Sequence, residues 1–263
     1  MLPHYKKITL LLTILVLGGC SSKKSDEIEP TSSSLPKKVK VETYGGYNGS
    51  TLYTNDIAYV WKGNILTSYT LTRLESTTNK EIDITFEFTR NNKNLITSEK
   101  LTYDGGKGQI TDYKYNTDGT EITLGTSKKW IYNDKGQAIK IVYTNEGIDN
   151  YSIYSYGYDS NGQLTHLGLQ QDSYETINYL TEFTTVKNPL YILSEKTQFL
   201  HLSPFLTDNI LYCSKMIPKS FKDFSYGIKD LCIVTHSLDD QQRVSTMTVT
   251  YDNNVLNRFT FGY

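Results

Sequence analysis

Apolar and polar residues alternate along most of the chain beyond residue 40, and short polar turns containing Gly or Asn interrupt the alternation. Because side chains two positions apart project from the same face of a β-strand, this pattern predicts antiparallel strands joined by tight turns. The clearest copies of the unit are YKYNTDGTEITL from Tyr113, WIYNDKGQAIKI from Trp130 and YGYDSNGQLTHL from Tyr156. Weaker copies begin at Phe86, Leu101, His236 and Val249.

The turns of the three clear copies carry the residue types that a bulged hairpin needs. Each turn opens on a side chain that can accept hydrogen bonds from the turn backbone, namely Asn116, Asn133 and Asp159. Three residues later a glycine supplies the positive φ that completes the turn, at Gly119, Gly136 and Gly162. Each copy is therefore interpreted as one antiparallel hairpin.

The copies are unevenly spaced, since the interval from Gly119 to Gly136 is shorter than the interval from Gly136 to Gly162. Solenoids and propellers repeat at a fixed period, so this spacing argues against both and favours a meander. The chain contains 22 Tyr and 9 Phe, and strands favour aromatic residues. The predicted fold class is mainly β: an extended, twisted antiparallel meander sheet of repeated hairpins that can curl to a half-barrel.

The alternation is lost between about residues 170 and 229, where Pro189, Pro204 and Pro218 occur. The apolar spacing after Pro189 allows at most one short helix, which would begin just after that proline. We expect this less regular segment to be an insertion that covers one face of the sheet.

The N-terminus has the features of an export signal. Lys6 and Lys7 precede a mainly apolar run from Ile8 to Leu17. At about 1.5 Å per helical residue, this run would span roughly 15 Å, about half of the ~30 Å hydrocarbon core of a bilayer. The run is therefore too short for a transmembrane anchor, and residues 1–19 are interpreted as a signal peptide.

The segment from Leu17 to Cys20, LGGC, resembles the lipobox of bacterial lipoproteins. The resemblance implies cleavage before Cys20 and acylation of that cysteine, and acyl chains contribute about 0.8 kcal/mol per buried methylene to membrane binding. The alternative is an ordinary secretory signal with an incidental cysteine. Residues 20–38 are rich in Ser, Lys, Glu and Pro, which predicts a disordered tether, and residues 39–263 are predicted to form a single antiparallel β domain.

The charge and the cysteine content limit the partners and the cellular compartment that the sequence predicts. The chain has 27 Lys+Arg against 28 Asp+Glu and no basic cluster, which argues against nucleic acid as a partner. If Cys20 carries lipid, Cys213 and Cys232 remain as an even pair in an oxidising compartment. A disulfide between them would add about 3 kcal/mol in the chain-entropy model. Both cysteines lie in apolar contexts, so two buried thiols are the alternative.

The sequence contains no motif that indicates catalysis or metal binding. Its histidines beyond the signal are far apart and lack a metal-ligand spacing: His166, His201 and His236. The turns NTDG, NDKG and DSNG lack the alternating oxygen ligands and the acidic closing residue of a calcium loop. The candidate acids Glu87, Glu99 and Asp112 are interpreted as ordinary strand residues. No catalytic residue, metal site or cofactor is therefore predicted.

Several of these motifs together resemble a known group of proteins. The lipobox, the YxYDxxGxL hairpins, an NPL segment at Asn188–Leu190 and a Ser-Lys-x-x-Pro segment at 214–218 are similar to those of uncharacterised Bacteroidetes β-rich envelope lipoproteins. The hairpins also resemble the YD repeats of RHS-type proteins. The resemblance implies a β-sheet protein held by lipid in the cell envelope, at the outer membrane, and it implies no reaction.

The remaining functional signal is aromatic. Tyr154, Tyr156 and Tyr158 would share one face of a strand, where they could stack on sugar rings or contact a protein. Alternatively, these rings pack the sheet against its own insertion. The sequence therefore favours a non-enzymatic binding or structural module for a glycan or an envelope protein. The alternative is a polysaccharide- or peptide-acting hydrolase whose site is assembled only in the fold.

Overall fold

The computed structural model describes residues 34–45, 50–75, 78–144, 151–171, 174–180, 182–200, 206–222 and 231–263. The strands before residue 113 are β1 (Lys38–Gly45), β2 (Ser50–Lys62), β3 (Ile65–Glu75), β4 (Lys80–Arg90), β5 (Ile96–Tyr103) and β6 (Gln109–Asp112). The next strands are β7 (Lys114–Tyr115), β8 (Glu121–Leu124), β9 (Lys128–Tyr132), β10 (Ala138–Thr144), β11 (Tyr151–Tyr158), β12 (Leu164–Gln171) and β13 (Tyr174–Tyr179). After them come β14 (Phe183–Lys187), helix α1 (Pro189–Lys196), helix α2 (Leu206–Cys213), β15 (Met216–Pro218) and β16 (Ser220–Lys222). The chain finishes with β17 (Leu231–Leu238), β18 (Val244–Tyr251) and β19 (Asn254–Gly262).

The predicted mainly-β antiparallel meander is confirmed, but it divides into two large sheets. One sheet has ten strands in the order β16-β17-β18-β19-β1-β2-β3-β4-β5-β6, so the last strand pairs with the first. The other sheet has seven strands, β13 to β7 in sequence order. The chain passes from the first sheet to the second at Tyr113. The Tyr113 backbone N–H bonds the Thr97 carbonyl of the ten-stranded sheet, and its ring makes an edge-to-face contact with Trp130 of the seven-stranded sheet.

The hairpin turns have the geometry that the sequence predicts. Asp159 Oδ1 accepts hydrogen bonds from the backbone N–H groups of Asn161 and Gln163, both at 2.9 Å, and Gly162 has a φ of 77°. Similar turns open at Asn91, Asn133 and Asp239. Because the acceptor and the positive-φ residue lie within five positions, local chemistry specifies each turn.

The insertion carries two helices, one more than the sequence predicts. α1 begins after Pro189 as expected, with Asn188 as its N-cap. α2 packs against α1 and β12, and this contact buries Ile210 and Leu211 completely. Tertiary packing therefore supports a second helix that its uneven apolar spacing does not reveal. Among the residues that the structure describes, no helix is long and apolar enough to cross a bilayer.

The NPL segment and the Ser-Lys-x-x-Pro segment meet in the insertion. The side chain of Asn188 accepts from the Leu190 N–H at 3.0 Å and donates to the carbonyl oxygens of Leu211 and Ser214 at 2.7 and 3.0 Å. The Asn188 N–H donates to the Lys215 carbonyl at 2.9 Å. One buried asparagine thus caps α1 and holds the end of α2.

The turn after α1 joins the insertion to both sheets. Gln198 Oε1 accepts from the Ile96 N–H of β5 at 2.7 Å and from the Tyr115 hydroxyl of β7 at 3.0 Å. The Tyr132 hydroxyl donates to the Gln198 carbonyl at 2.8 Å. Phe199, the next residue, is 1% exposed and enters the shared core. That core takes side chains from the ten-stranded sheet, the seven-stranded sheet and the insertion, among them Val39, Phe259, Trp130, Leu167, Leu190 and Ile210.

The packed chain starts a few residues before the predicted boundary at residue 39. Leu35 is 1% exposed, and the Pro36 carbonyl accepts a hydrogen bond from the Trp61 indole N–H at 2.9 Å. The last residues of the predicted tether therefore belong to the domain. The predicted signal peptide, the lipidation site Cys20 and the first part of the tether lie outside the described residues.

Candidate functional site

The three tyrosines predicted to stack on a ligand face the protein interior. Tyr154 and Tyr156 are each 4% exposed, and the Tyr156 hydroxyl accepts a hydrogen bond from Asn209 of α2 at 3.1 Å. The half-buried Tyr158 donates from its hydroxyl to the Ala138 carbonyl at 3.0 Å. The prediction that these tyrosines form a stacking surface for a ligand is therefore wrong. The insertion and neighbouring strands cover this face, and the rings pack in the core.

The remaining candidates from the sequence lie apart from one another. Cys213 ends α2 and Cys232 lies on β17; both are buried thiols, with no disulfide between them. Burial strongly raises the pKa of the Cys213 thiol, which also contacts the Tyr158 hydroxyl. His166 lies on β12 over Gly157, where any Cβ would collide with the imidazole, and His236 lies on β17. Within the described part of the chain, no group of three or more His, Cys, Asp or Glu residues could hold a metal ion.

A different row of aromatic side chains is only half covered. Tyr59, Tyr69 and Phe86 lie opposite one another on β2, β3 and β4, on the face of the ten-stranded sheet that also supplies the core. The centroids of Tyr59 and Tyr69 are 5.7 Å apart, and Tyr69 stacks on Phe86 at 4.5 Å. We call these three residues, together with the half-buried Tyr53 on β2, the aromatic platform.

Polar groups lie at the Tyr53 end of the platform. The Arg73 guanidinium lies over the Tyr53 ring, 5.1 Å from its centroid. The Arg73 Nε–H also donates to Asn55 Oδ1 at 3.0 Å, and Asn55 is buried. Because the guanidinium is fixed by an aromatic ring and an amide, its remaining N–H groups form a pre-organised set of donors beside the platform.

Two ionisable side chains, Glu99 and Lys128, lie at the other end of the platform, where the two sheets meet. Glu99 on β5 is 8% exposed and pairs in register with Phe88, whose ring centroid is 6.1 Å from that of Tyr69. The Tyr113 hydroxyl forms a hydrogen bond with the Glu99 carboxylate. Lys128 on β9 contributes the positive charge, and Glu99 favours the charged form of its amine.

Lys128 lies between two aromatic rings. Its Nζ is 4.4 Å from the centroid of Trp130 and 4.6 Å from that of Tyr143. Burial among these rings lowers the pKa of Lys128 to about 8, although the Glu99 carboxylate opposes this shift. Near neutral pH the amine is therefore mostly protonated, and a modest change in its surroundings can release the proton.

The tyrosines around this pair remain protonated hydrogen-bond donors. Burial raises the pKa of Tyr59, Tyr69 and Tyr113 well above the ordinary value. Tyr212 of α2 adds to the shifts of Tyr59 and Tyr69, which places its hydroxyl at the same junction. The site therefore combines partly exposed aromatic rings with buried neutral hydroxyls, one carboxyl group and one amine. Such a set suits recognition of a hydroxyl-rich ligand.

Sequence reasoning missed both parts of this site. Glu99 was interpreted as an ordinary strand residue because its burial depends on the seven-stranded sheet, which is distant in sequence. Tyr59 and Tyr69 were missed because the choice of candidates relied on tyrosine density. Tyrosines are densest near Tyr156, and those tyrosines lie in the core. The alternation YTNDIAYVW in β2 was the available signal, since it places Tyr53 and Tyr59 on one face.

No protein family and no curated protein matches the chain. The solved structures that show a distant likeness include two porin-like proteins and a toxin pore. A porin-like protein from Bacteroides uniformis has 13% identity and a TM-score of 0.45, covering 89% of this chain and 98% of that chain. One from Bacteroides vulgatus has 14% identity and a TM-score of 0.36, covering 87% and 98%. The Tc holotoxin pore of Photorhabdus luminescens has 13% identity and a TM-score of 0.29, covering 82% and 12%. These likenesses are too distant to indicate a function, and the relation to YD repeats stays a prediction.

The lowered pKa of Lys128 predicts a pH-dependent stability. The folded protein releases this proton near pH 8, whereas the unfolded chain keeps it until about pH 10.4. Between these values the unfolded state binds more protons, so the lysine contribution to the free energy of unfolding rises with pH. We expect the free energy of unfolding of wild type, minus that of Lys128→Met, to increase from pH 7.5 to 9.5. Urea unfolding measures both values below the pH range in which tyrosines ionise. If the two free energies of unfolding changed in parallel with pH, the prediction would be contradicted and the amine would be solvated in the folded protein.

Proposed function

We propose that this protein is a lipid-anchored module of the cell envelope that binds a saccharide on the aromatic platform without transforming it. The resemblance of LGGC to a lipobox supports the anchor at Cys20, and the resemblance to envelope lipoproteins supports an outer-membrane location. The half-buried aromatic row supports the ligand class, because flat rings stack on the apolar faces of sugars while nearby polar groups bond their hydroxyls.

The observation that carries this proposal is the position of the platform between two pre-organised polar groups. Arg73, fixed by Tyr53 and Asn55, lies at one end, and the Glu99–Lys128 pair lies at the other. The Lys128 amine lies between Trp130 and Tyr143 within electrostatic reach of the buried Glu99 carboxyl, and side chains with perturbed pKa values cluster at functional sites, which supports a functional role for this end of the platform.

The anchor is tested by Cys20→Ala in the full-length chain, expressed in a host that processes lipoproteins. We expect wild type to partition with membranes and to incorporate an alkyne-labelled fatty acid, because acyl chains hold the protein on the bilayer. The variant should incorporate no label and should appear in the soluble fraction. Ser21→Ala, a neighbouring change that leaves the thiol, should behave as wild type. Equal labelling of the Cys20 variant would contradict the lipid anchor.

Ligand binding is tested with a panel of bacterial and host polysaccharides, by affinity electrophoresis and then calorimetry. Tyr53→Ala and Tyr69→Ala should each weaken binding about five- to tenfold, since loss of one aromatic contact removes about 1–1.5 kcal/mol. Leu52→Ala and Leu74→Ala are matched controls, because these exposed residues lie on the same two strands but face the opposite side. Each variant is compared only if its thermal midpoint stays near that of wild type.

Two outcomes would contradict a binding function on the platform. One is the absence of binding across the panel, or binding that the platform variants leave unchanged. The other is cleavage of a bound polysaccharide or peptide that disappears in Glu99→Gln. The second outcome would assign the protein to the hydrolases, with the buried Glu99 as its acid.

A further inference from the structure

The Lys128 amine is enclosed by side chains that stabilise a cation. It lies over the faces of Trp130 and Tyr143, with Nζ 4.4 and 4.6 Å from the two ring centroids. The buried Glu99 carboxyl lies within electrostatic reach of the same amine. Two ring faces and a carboxyl group therefore stabilise positive charge on this nitrogen, whichever carbon substituent the nitrogen carries.

The same amine loses its proton more easily than an ordinary lysine does. Burial lowers the pKa of Lys128 to about 8. At pH 7 about one amine in ten is then uncharged, against fewer than about one in a thousand for an unperturbed lysine with a pKa near 10.4. Only the uncharged amine is a nucleophile, and the Lys128 side chain is half-buried, so part of it is accessible from outside.

A buried donor without a partner lies in the same group of side chains. Trp130 is 1% exposed, and within the described part of the chain its indole N–H has no hydrogen-bond acceptor. Folded proteins rarely leave a buried donor unsatisfied, so this N–H indicates an acceptor atom from outside the chain. Because the ring that carries the N–H also lies against the Lys128 amine, such an acceptor lies close to that nitrogen.

The amine lies at one end of the aromatic platform. Phe88 pairs in register with Glu99, and its ring centroid is 6.1 Å from that of Tyr69. Burial raises the pKa of Tyr69, and Tyr59 and the Glu99 carboxyl add to the shift. One carboxyl group is therefore within electrostatic reach of both a platform ring and the Lys128 amine, so a ligand stacked on the platform has one end beside this lysine.

We propose that Lys128 captures an aldehyde, either a small aldehyde or the open-chain reducing end of a saccharide, as a reversible imine. The saccharide source rests on the proposed function, whereas the small aldehyde does not. The nitrogen lone pair attacks the carbonyl carbon to give a carbinolamine. The carbonyl oxygen then leaves as water with the two amine hydrogens, and the C=N bond forms without an oxidant or a reductant.

The surroundings of Lys128 suit each stage of this reaction. The Trp130 N–H and the Tyr113 hydroxyl, which bonds the Glu99 carboxyl, are hydrogen-bonding groups for the carbonyl oxygen and the departing water. The protonated imine is a cation and keeps the ring contacts of the ammonium group. Hydrolysis returns the aldehyde unchanged, which agrees with a module that holds its ligand without transforming it.

The test incubates the full chain in detergent at pH 7 with glycolaldehyde and sodium cyanoborohydride, which reduces an imine to a stable secondary amine. Peptide mapping by mass spectrometry measures the labelling of each lysine. We expect Lys128 to be labelled at least tenfold faster than its neighbour Lys129, whose amine pairs with Glu121 at 3.0 Å. Lys128→Arg should keep the thermal midpoint of wild type and lose the fast label, because a guanidinium forms no imine under these conditions.

A second arm identifies the source of the aldehyde. It replaces glycolaldehyde with maltotetraose, and labelling of Lys128 that Tyr69→Ala slows at least fivefold would assign the reducing end of a saccharide on the platform. Fast labelling by glycolaldehyde alone would assign a small aldehyde. The alditol of maltotetraose has no aldehyde, so its binding, measured by calorimetry, tests the platform separately from the imine.

Two results would overturn the capture of an aldehyde by Lys128. One is labelling of Lys128 by glycolaldehyde at a rate equal to or below that of Lys129 in wild type, a comparison that holds even if the arginine variant does not fold. The other is a fast label that stays in folded Lys128→Arg, since the reactive amine would then belong to another residue.

Discussion

The insertion holds the two sheets on one core through the amide side chains of Asn188 and Gln198. Asn188 fixes the start of α1 against the end of α2, and Gln198 bonds β5 of one sheet and Tyr115 of the other. Apolar packing alone tolerates many relative positions of two sheets, whereas buried hydrogen bonds with defined geometry select one of them. Leaving either partner of such a bond unsatisfied costs about 1–3 kcal/mol.

The relative position of the sheets creates the candidate site. Glu99 belongs to one sheet and Lys128 to the other. Tyr113, at the break between the sheets, bonds the Glu99 carboxyl, and Trp130 and Tyr143 of its own sheet enclose the Lys128 amine. The platform extends from this junction along β2, β3 and β4, where the insertion no longer covers the aromatic side chains fully. Aromatic rings in similar alternating strands therefore differ in exposure: Tyr154 and Tyr156 are buried, whereas Tyr59, Tyr69 and Phe86 keep part of their surface exposed.

The sequence could predict what depends on neighbouring residues. The turns at Asn133 and Asp159 were predicted correctly because the acceptor, the positive-φ glycine and the flanking strands are adjacent in the chain. The split at Tyr113 was not predicted, since it depends on a ring contact with Trp130 and on the pairing of later strands.

The sequence could not predict which aromatic and acidic side chains are exposed. Tyr156 and Tyr69 occur in similar alternating strands, but Asn209 of α2 bonds the first, and the second remains half covered. Glu99 likewise has the pattern of a solvent-facing acid and is buried only because the second sheet covers it. The NPL segment was recognised as a motif, but its role in joining two helices required the contacts of Asn188.

Hydrogen–deuterium exchange of a Gln198→Ala variant tests most directly whether the insertion holds the sheets together. We expect faster exchange in β5 and in the β7–β8 pair as well as in the insertion, because Ile96 of one sheet and Tyr115 of the other lose their shared partner, the Gln198 amide oxygen. Gln242→Ala is the matched control, since Gln242 has a similar positive φ, 61° against 53°, but lies exposed in a turn. Faster exchange confined to residues 182–222, with β5 and the β7–β8 pair unchanged, would contradict this role of the insertion.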